Sequence, residues 1–163
     1  MKTLIVYSSK TGNTKKLADA VAQMITGEKT LCPVSEAPDP AGYDLVALGF
    51  WLQAGKPDPW AAEYLAGIGD KKLFLFATHG AAADSAHARN AIEIAKSLAP
   101  SAQIAGTFNC PGEVSPAHLE KARKKDSPPQ WIDDAPAAVG HPDSGDIKQL
   151  AEKIQACLPG LIS

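Results

Sequence analysis

Residues 2–14 read KTLIVYSSKTGNT, and this stretch decides the fold class. Its first part, Lys2–Tyr7, is a short and partly β-branched apolar run that ends in a polar turn, which is typical of a strand buried on both faces. The turn leads directly into a helix, which helically spaced apolar residues predict over residues 13–25. A strand that passes through a short loop into a helix begins a β-α-β unit, and parallel sheets are built from such units.

The same alternation of strands and helices continues along the chain. Further strands are predicted at residues 30–34, 43–50, 72–78 and 103–109, and further helices at 59–66, 85–98, 116–125 and, with Ser144 or Asp146 as the cap, up to Leu158. Pro33 places the second strand at an edge of the sheet, because proline cannot donate to a central ladder. The segment 126–142 holds four prolines and is predicted to be either an ordered excursion or a mobile loop.

These elements predict an α/β fold. Right-handed crossovers between parallel strands cover a sheet on both faces with helices. We therefore expect one doubly wound domain over residues 1–163, with a five-stranded parallel sheet of order 2-1-3-4-5. A ligand of such a sheet binds outside the carboxyl ends of the strands, so the loops after the first, third, fourth and fifth predicted strands form the candidate site.

Composition excludes several classes of protein. The 163 residues carry a formal net charge of −2, and no stretch combines clustered Lys or Arg with aromatic residues, so nucleic acid is not an expected partner. No run approaches the ~18 apolar residues of a membrane span, and we expect a cytoplasmic protein. Three widely separated cysteines fit a reducing compartment, and the four histidines lack metal-ligand spacing, so no metal is expected.

The loop after the first strand is rich in hydrogen-bond donors. Ser9, Thr11, Asn13 and Thr14 lie within six residues, at a predicted helix N-terminus whose free N–H groups and dipole attract anions. Gly12 allows the backbone to approach a ligand closely. A capping turn alone needs only one such side chain, so we interpret the loop as a phosphate site.

This loop resembles the phosphate loop of the flavodoxin family, whose pattern of hydroxyl, any residue, Thr, Gly, Asn and Thr is matched by Ser9–Thr14. The resemblance covers most of the chain and weakens after Asp126. It implies a flavodoxin-like domain that binds FMN, with the phosphate held by Ser9, Lys10, Thr11, Gly12, Asn13 and Thr14. It also implies flavin contacts in the three other loops, from Trp51, Leu52, Gln53, Ala54 and Gly55, from Thr78, His79, Gly80 and Ala81, and from Asn109, Cys110 and Gly112.

Trp51 is the residue that we expect to stack on the flavin, because an indole offers a large flat contact. Packing under the following helix is the alternative for Trp51, and Trp60 is the competing core aromatic. His79 is expected either to stabilise reduced flavin as an imidazolium or to be a solvated loop residue. The aromatic residue common in the family's second flavin loop is missing here. Cys110 is expected to be structural rather than a redox thiol.

The resemblance implies an electron carrier whose partners are redox proteins, namely a reductase, a ferredoxin or a terminal oxidoreductase. No catalytic residue is assigned on this hypothesis. The alternative is an FMN-dependent quinone or small-molecule reductase. Its substrate pocket would lie between the loop after Thr78 and the segment 126–142.

Overall fold

A computed structural model of the chain describes residues 1–162. The strands are β1 (Lys2–Tyr7), β2 (Glu28–Pro33), β3 (Leu45–Gln53), β4 (Lys56–Pro57), β5 (Lys72–His79) and β6 (Gln103–Pro111). The helices are α1 (Asn13–Met24), α2 (Pro59–Ala66), α3 (Ala86–Leu98), α4 (Pro116–Arg123) and α5 (Ser144–Cys157). Within residues 1–162, none of the helices has the length and hydrophobicity that a bilayer crossing requires.

The strands form one sheet of order β2-β1-β3-β5-β6, in which all neighbours are parallel. This order confirms the predicted 2-1-3-4-5 topology, and Pro33 ends the edge strand β2 as expected. The two-residue β4 was not predicted. It pairs antiparallel with the end of β3, Leu52 opposite Pro57, and adds a sixth strand to the sheet.

Side chains of the central strands alternate between two cores. Leu48, Phe50 and Leu75 pack on the face covered by α2 and α3, while Ile5 and Phe74 pack on the face covered by α1 and α5. All five side chains are fully or almost fully buried, and each stabilises the fold by about 1.5–3 kcal/mol. Helices therefore lie on both faces, as the buried runs of the strands predicted.

Several ends of elements differ from the predicted ones by one to three residues, among them both ends of β2 (predicted 30–34) and of β3 (predicted 43–50). β6 continues to Pro111, because the end of β5 pairs with it. The cap of α5 is Asp143 rather than Ser144 or Asp146, since the Asp143 carboxyl group accepts the Asp146 N–H (3.0 Å) and the Asp146 carboxyl group accepts the Asp143 N–H (2.8 Å). This reciprocal capping box satisfies two helix-start donors.

The segment 126–142 is an ordered excursion. It forms two short 3-10 helices, Gln130–Asp133 and Ala135–Ala138, and the side chains of Ala135 and Ala138 are buried. The mobile-loop alternative is therefore wrong, because the segment packs against the rest of the molecule through these small side chains.

Candidate functional site

The carboxyl ends of β1, β3, β5 and β6 meet at one edge of the sheet. All the residues predicted for the site lie at this edge, because each group follows or ends one of these four strands. The structure thus brings together segments that lie far apart in the chain, from Ser9 to Gly112, as the topology of a parallel sheet requires.

The loop from Ser8 to Gly12 turns into the N-terminus of α1. Gly12 is the N-cap residue and has a left-handed backbone with φ of 97°, a conformation that favours glycine. Ser9 Oγ accepts the N–H groups of Gly12 (3.1 Å) and Lys15 (3.3 Å), which holds the loop in place. Among residues 1–162, no acceptor binds the N–H groups of Asn13 and Thr14, so the helix start offers free donors and the positive end of its dipole.

The donor side chains of this loop divide into two groups. Lys10 and Thr11 are exposed and Ser9 is half-buried, so they remain available to a ligand. Asn13 instead donates from Nδ2 to the carbonyl oxygen of Glu113 at 2.9 Å, and the hydroxyl of the buried Thr14 lies 2.9 Å from that of Thr78. The side chains of Asn13 and Thr14 therefore fasten the loop to β5 and to the residues after β6.

Asp58 connects the loop after β1 to the loop after β3. Its side chain is completely buried, and Oδ1 accepts the Ser8 hydroxyl at 2.7 Å and the N–H of Ala61 at 3.2 Å, while Oδ2 accepts the Trp51 N–H at 3.4 Å. The sequence predicted Asp58 as the cap of α2, which is correct. Its contacts to Ser8 and Trp51 were missed, because no local pattern indicates which distant donors a buried carboxyl group accepts.

The predicted flavin loop at Trp51–Gly55 is a tight hairpin. Leu52 and Gln53 belong to β3 and pair with β4, and Ala54 and Gly55 form the turn with φ values of 52° and 75°. Two consecutive positive φ angles are typical of the turns that match the twist of a hairpin. The Trp51 side chain is half-buried, and Lys10 Nζ lies 5.5 Å from the centre of its ring, a cation–π distance. Trp60, the competing core aromatic, is 65% exposed, so its core assignment is wrong.

His79 ends β5 and is only 6% exposed, so the solvated-loop alternative is wrong. Its Nε2 atom lies 2.9 Å from Asn109 Oδ1, and with that oxygen as acceptor Nε2 donates. Burial lowers the pKa of His79 below its ordinary value, although the hydrogen bond to Asn109 opposes this effect, so its surroundings favour the neutral ring over the imidazolium. Within residues 1–162, the buried Nδ1 atom has no hydrogen-bond partner.

The remaining predicted residues of the loops after β5 and β6 lie close to the backbone of the site. Ala81 is buried, and a side chain added at Gly80 would contact Val114 and Trp131. Cys110 is buried in the core beside α5, and burial raises the pKa of its thiol, so the expectation of a structural cysteine agrees with its surroundings. A Cβ atom at Gly112 would lie 2.8 Å from Asn13 Nδ2, so only glycine permits this close approach.

A pair of aromatic side chains at this edge was not predicted. The rings of His118 and Trp131 are parallel within 4°, with centres 5.6 Å apart. Trp131 reaches the loop after β5, since a Cβ atom at Gly80 would lie 3.1 Å from its ring, and Asp134 accepts the N–H of Ala82 at 3.1 Å. The loop after β5 lacks the aromatic residue that is common in the family, and Trp131, from the excursion after α4, lies beside this loop instead. The only sequence signal was an isolated tryptophan in a proline-rich segment.

Comparisons with known proteins agree with this architecture. The family model described as a flavodoxin domain matches residues 4–155. The flavodoxin-like domain-containing protein BilS of Clostridioides difficile is 34% identical over 159 residues, which cover 90% of each chain. The protein of the same name from Clostridium symbiosum is 27% identical over 184 residues, with 98% of this chain and 97% of that protein covered.

Solved structures share the fold at lower sequence identity. The Streptococcus pneumonia TIGR4 flavodoxin superposes with a TM-score of 0.60 at 14% identity and covers 96% of this chain and 99% of its own. A Lactobacillus acidophilus flavoprotein in complex with FMN has a TM-score of 0.53 at 16% identity and covers 76% of this chain and 99% of its own. With the family model spanning nearly the whole sheet and a full-length relative at 34% identity, the chain belongs to the flavodoxin family.

Proposed function

We propose that the protein binds FMN at the carboxyl edge of its sheet and carries electrons between redox proteins. The observation that supports this most strongly is the start of α1, where free N–H groups and a left-handed glycine lie in one short loop with the side chains of Ser9, Lys10 and Thr11, which donate to no acceptor within residues 1–162. Such a donor set suits a dianionic phosphate monoester better than any neutral group.

The fit to a flavin ring depends on the neighbouring loops. The half-buried Trp51 offers an indole face beside the phosphate loop, and the hairpin turn at Ala54 and Gly55 presents backbone polar groups at the same edge. When bound, FMN accepts and releases electrons one or two at a time. The residues of this chain would hold it, exclude water from one ring face and tune its potential through backbone contacts and a neutral His79.

The carrier is favoured over a small-molecule reductase by the packing of the excursion 126–142. The reductase alternative requires a pocket between this segment and the loop after β5. Instead, Trp131 lies against Gly80, and Asp134 accepts the N–H of Ala82, so the two segments contact each other directly. We therefore propose redox proteins as the partners, namely a reductase, a ferredoxin or a terminal oxidoreductase, and we propose no substrate pocket.

The proposal is tested by comparing the affinities for FMN and riboflavin through quenching of flavin fluorescence. Each charge-assisted hydrogen bond to the phosphate contributes about 1.5–3 kcal/mol, so two of them make FMN bind roughly 10²- to 10⁴-fold more tightly. Thr11→Val should lower the FMN affinity and leave the riboflavin affinity unchanged, whereas Ser101→Ala, in the turn before β6, should change neither. Equal affinities for the two flavins in the native protein would contradict the proposal.

A further inference from the structure

The segment from Pro116 to Lys125, which contains α4, carries much more positive charge than the rest of the molecule. It contains four cationic residues and one acidic residue, whereas the whole chain has a formal net charge of −2. Glu120 pairs with Lys124 at 3.0 Å, and within residues 1–162 no carboxyl group forms an ion pair with Lys121, Arg123 or Lys125. Three of the four cations of this segment, Lys121, Arg123 and Lys125, are therefore exposed and without an ion pair.

This charge lies at the edge of the proposed flavin site. Ser115, the cap of α4, lies two residues after Glu113, whose carbonyl oxygen accepts a hydrogen bond from the Asn13 side chain of the phosphate loop. His118, in the first turn of α4, stacks on Trp131, which lies against Gly80. The helix therefore contacts the excursion and starts directly beside the phosphate loop.

Lys10 joins this group from the phosphate loop. Its ammonium lies 5.5 Å from the centre of the Trp51 ring, and no carboxyl group within residues 1–162 pairs with it. Burial lowers the pKa of His118, and the positive charges of Lys10, Lys125 and Lys121 lower it further. We define the cationic rim as Lys10, Lys121 and Lys125 around His118.

The surroundings of the rim resemble a protein interface. The half-buried Trp51 and Trp131 and the 65% exposed Trp60 at the start of α2 all lie at the same edge of the sheet, and aromatic residues with a polar border are typical of protein docking sites. Exposed carboxyl groups also lie near the rim, those of Asp84, Glu113, Glu120, Asp126 and Asp133, and among them only Glu120 forms an ion pair with a cation of the segment within residues 1–162.

We infer that the cationic rim is the docking surface for a redox protein whose contact face is acidic. The inference rests on the proposed function, because it assigns a partner chemistry to the exposed edge of the same site. Opposite charges across such a contact accelerate association and orient the two cofactors toward each other. A long row of phosphate contacts, as a nucleic acid needs, would require basic residues beyond this compact group.

The test compares two redox probes of opposite charge. A reduced acidic [2Fe–2S] ferredoxin is mixed with the FMN-loaded protein, and one electron leaves the ferrous iron and enters the bound flavin, with no bond formed or broken. In the second mixture one electron passes from the dithionite-reduced flavin to the ferric iron of a basic cytochrome c. We expect the ferredoxin rate constant to fall, and the cytochrome rate constant to rise, as salt is raised from about 20 mM to about 0.3 M.

A charge-neutralising variant and a matched control complete the design. The double substitution Lys121→Gln and Lys125→Gln should slow the ferredoxin reaction at low salt by roughly three- to tenfold and weaken ferredoxin binding in calorimetry by a similar factor. Lys72→Gln with Lys153→Gln removes the same charge away from the rim and should change neither quantity. FMN affinity should be unchanged in both double variants.

The possible failures are distinguishable. If the protein does not bind FMN or exchanges electrons with neither probe, the proposed function fails, and the docking surface is then judged from the calorimetric ferredoxin affinity alone. Equal effects of the rim variant and its control, or a salt-independent ferredoxin reaction, would overturn the docking surface. Binding of a short DNA duplex at about 0.15 M salt that the rim variant abolishes would also overturn it, in favour of nucleic acid.

Discussion

Asp58 is the residue on which the geometry of the site most depends. Its buried carboxyl group caps α2 and at the same time accepts the Ser8 hydroxyl at 2.7 Å and the Trp51 N–H at 3.4 Å. One side chain thereby fixes the start of the phosphate loop relative to the hairpin that carries Trp51. A buried acceptor with this many donors is costly to remove, because the donors lose their partner and remain away from water.

We predict that Asp58→Ala lowers the free energy of unfolding by about 2–4 kcal/mol, from the lost helix cap and the unpaired Ser8 hydroxyl. Asp58→Asn retains an acceptor oxygen and should lower the free energy of unfolding by less than half as much. The control is Asp39→Ala, which removes an exposed cap, the acceptor of the Ala41 N–H, and should cost about 1 kcal/mol or less. Urea denaturation measures all three, and equal losses for Asp58→Ala and Asp39→Ala would contradict this role.

Trp51 is the second residue with a testable role. We predict that Trp51→Ala weakens FMN binding roughly two- to twelvefold, because aromatic stacking beyond area burial contributes about 0.5–1.5 kcal/mol, and that it shifts the flavin potentials. Trp60→Ala removes an exposed indole at the same edge and should leave affinity and potentials unchanged. Fluorescence titration and a spectroscopic redox titration give both readouts, and unchanged values in Trp51→Ala would refute the stacking role.

Among the elements, the strands and long helices were predictable from the sequence and the side-chain connections between them were not. Strands such as Lys2–Tyr7 and helices such as α1 follow from local patterns of apolar residues. The two-residue β4 is too short for any periodicity, so the hairpin at Trp51–Gly55 was predicted only as a loop. The stack of Trp131 on His118 depends on how the excursion packs, and no local pattern determines that packing.

Gly112, directly after β6, lies close to the phosphate loop, and this contact supports a further prediction. Gly112→Ala would place a Cβ atom 2.8 Å from Asn13 Nδ2 and 3.2 Å from Asn13 Cγ, so the Asn13 side chain must move and release the Glu113 carbonyl. We predict a loss of FMN affinity of about tenfold, which corresponds to one hydrogen bond of about 1.4 kcal/mol. Gly42→Ala, where no atom lies within 4 Å of the added Cβ, is the matched control. Equal affinities in the two variants would show that this contact does not position the loop.

At the scale of the whole molecule, the sheet and its helices extend from Lys2 to Cys157. The described residues therefore form one layered unit whose open edge is the candidate site. Fold class and strand order followed from the order of elements, because right-handed crossovers leave few alternatives, and the same order predicts the edge of the candidate site. The place of the basic residues 121–125 beside the phosphate loop did not, since it depends on how the residues after β6 pack against that loop.

We predict that NADH and NADPH alone reduce the bound flavin slowly. Within residues 1–162 one sheet supplies one candidate nucleotide site, and proximity to a held nicotinamide ring is the main source of rate in direct transfer to a flavin. Stopped-flow mixing should show slow bleaching of the flavin with either nucleotide, and fast bleaching once a flavoprotein reductase is added. Rapid reduction by a nucleotide alone, with multiple turnovers on a quinone, would favour the reductase alternative.

The hydrogen bond from Asn13 to Glu113 has a consequence for biosynthesis, because it joins positions one hundred residues apart. On a translating ribosome the phosphate loop emerges early, while the residues that buttress it emerge only after most of the chain has been made. A nascent chain that ends before Glu113 therefore exposes the phosphate loop without the carbonyl group that holds Asn13. We expect the proposed cofactor to bind only after these later residues have been made.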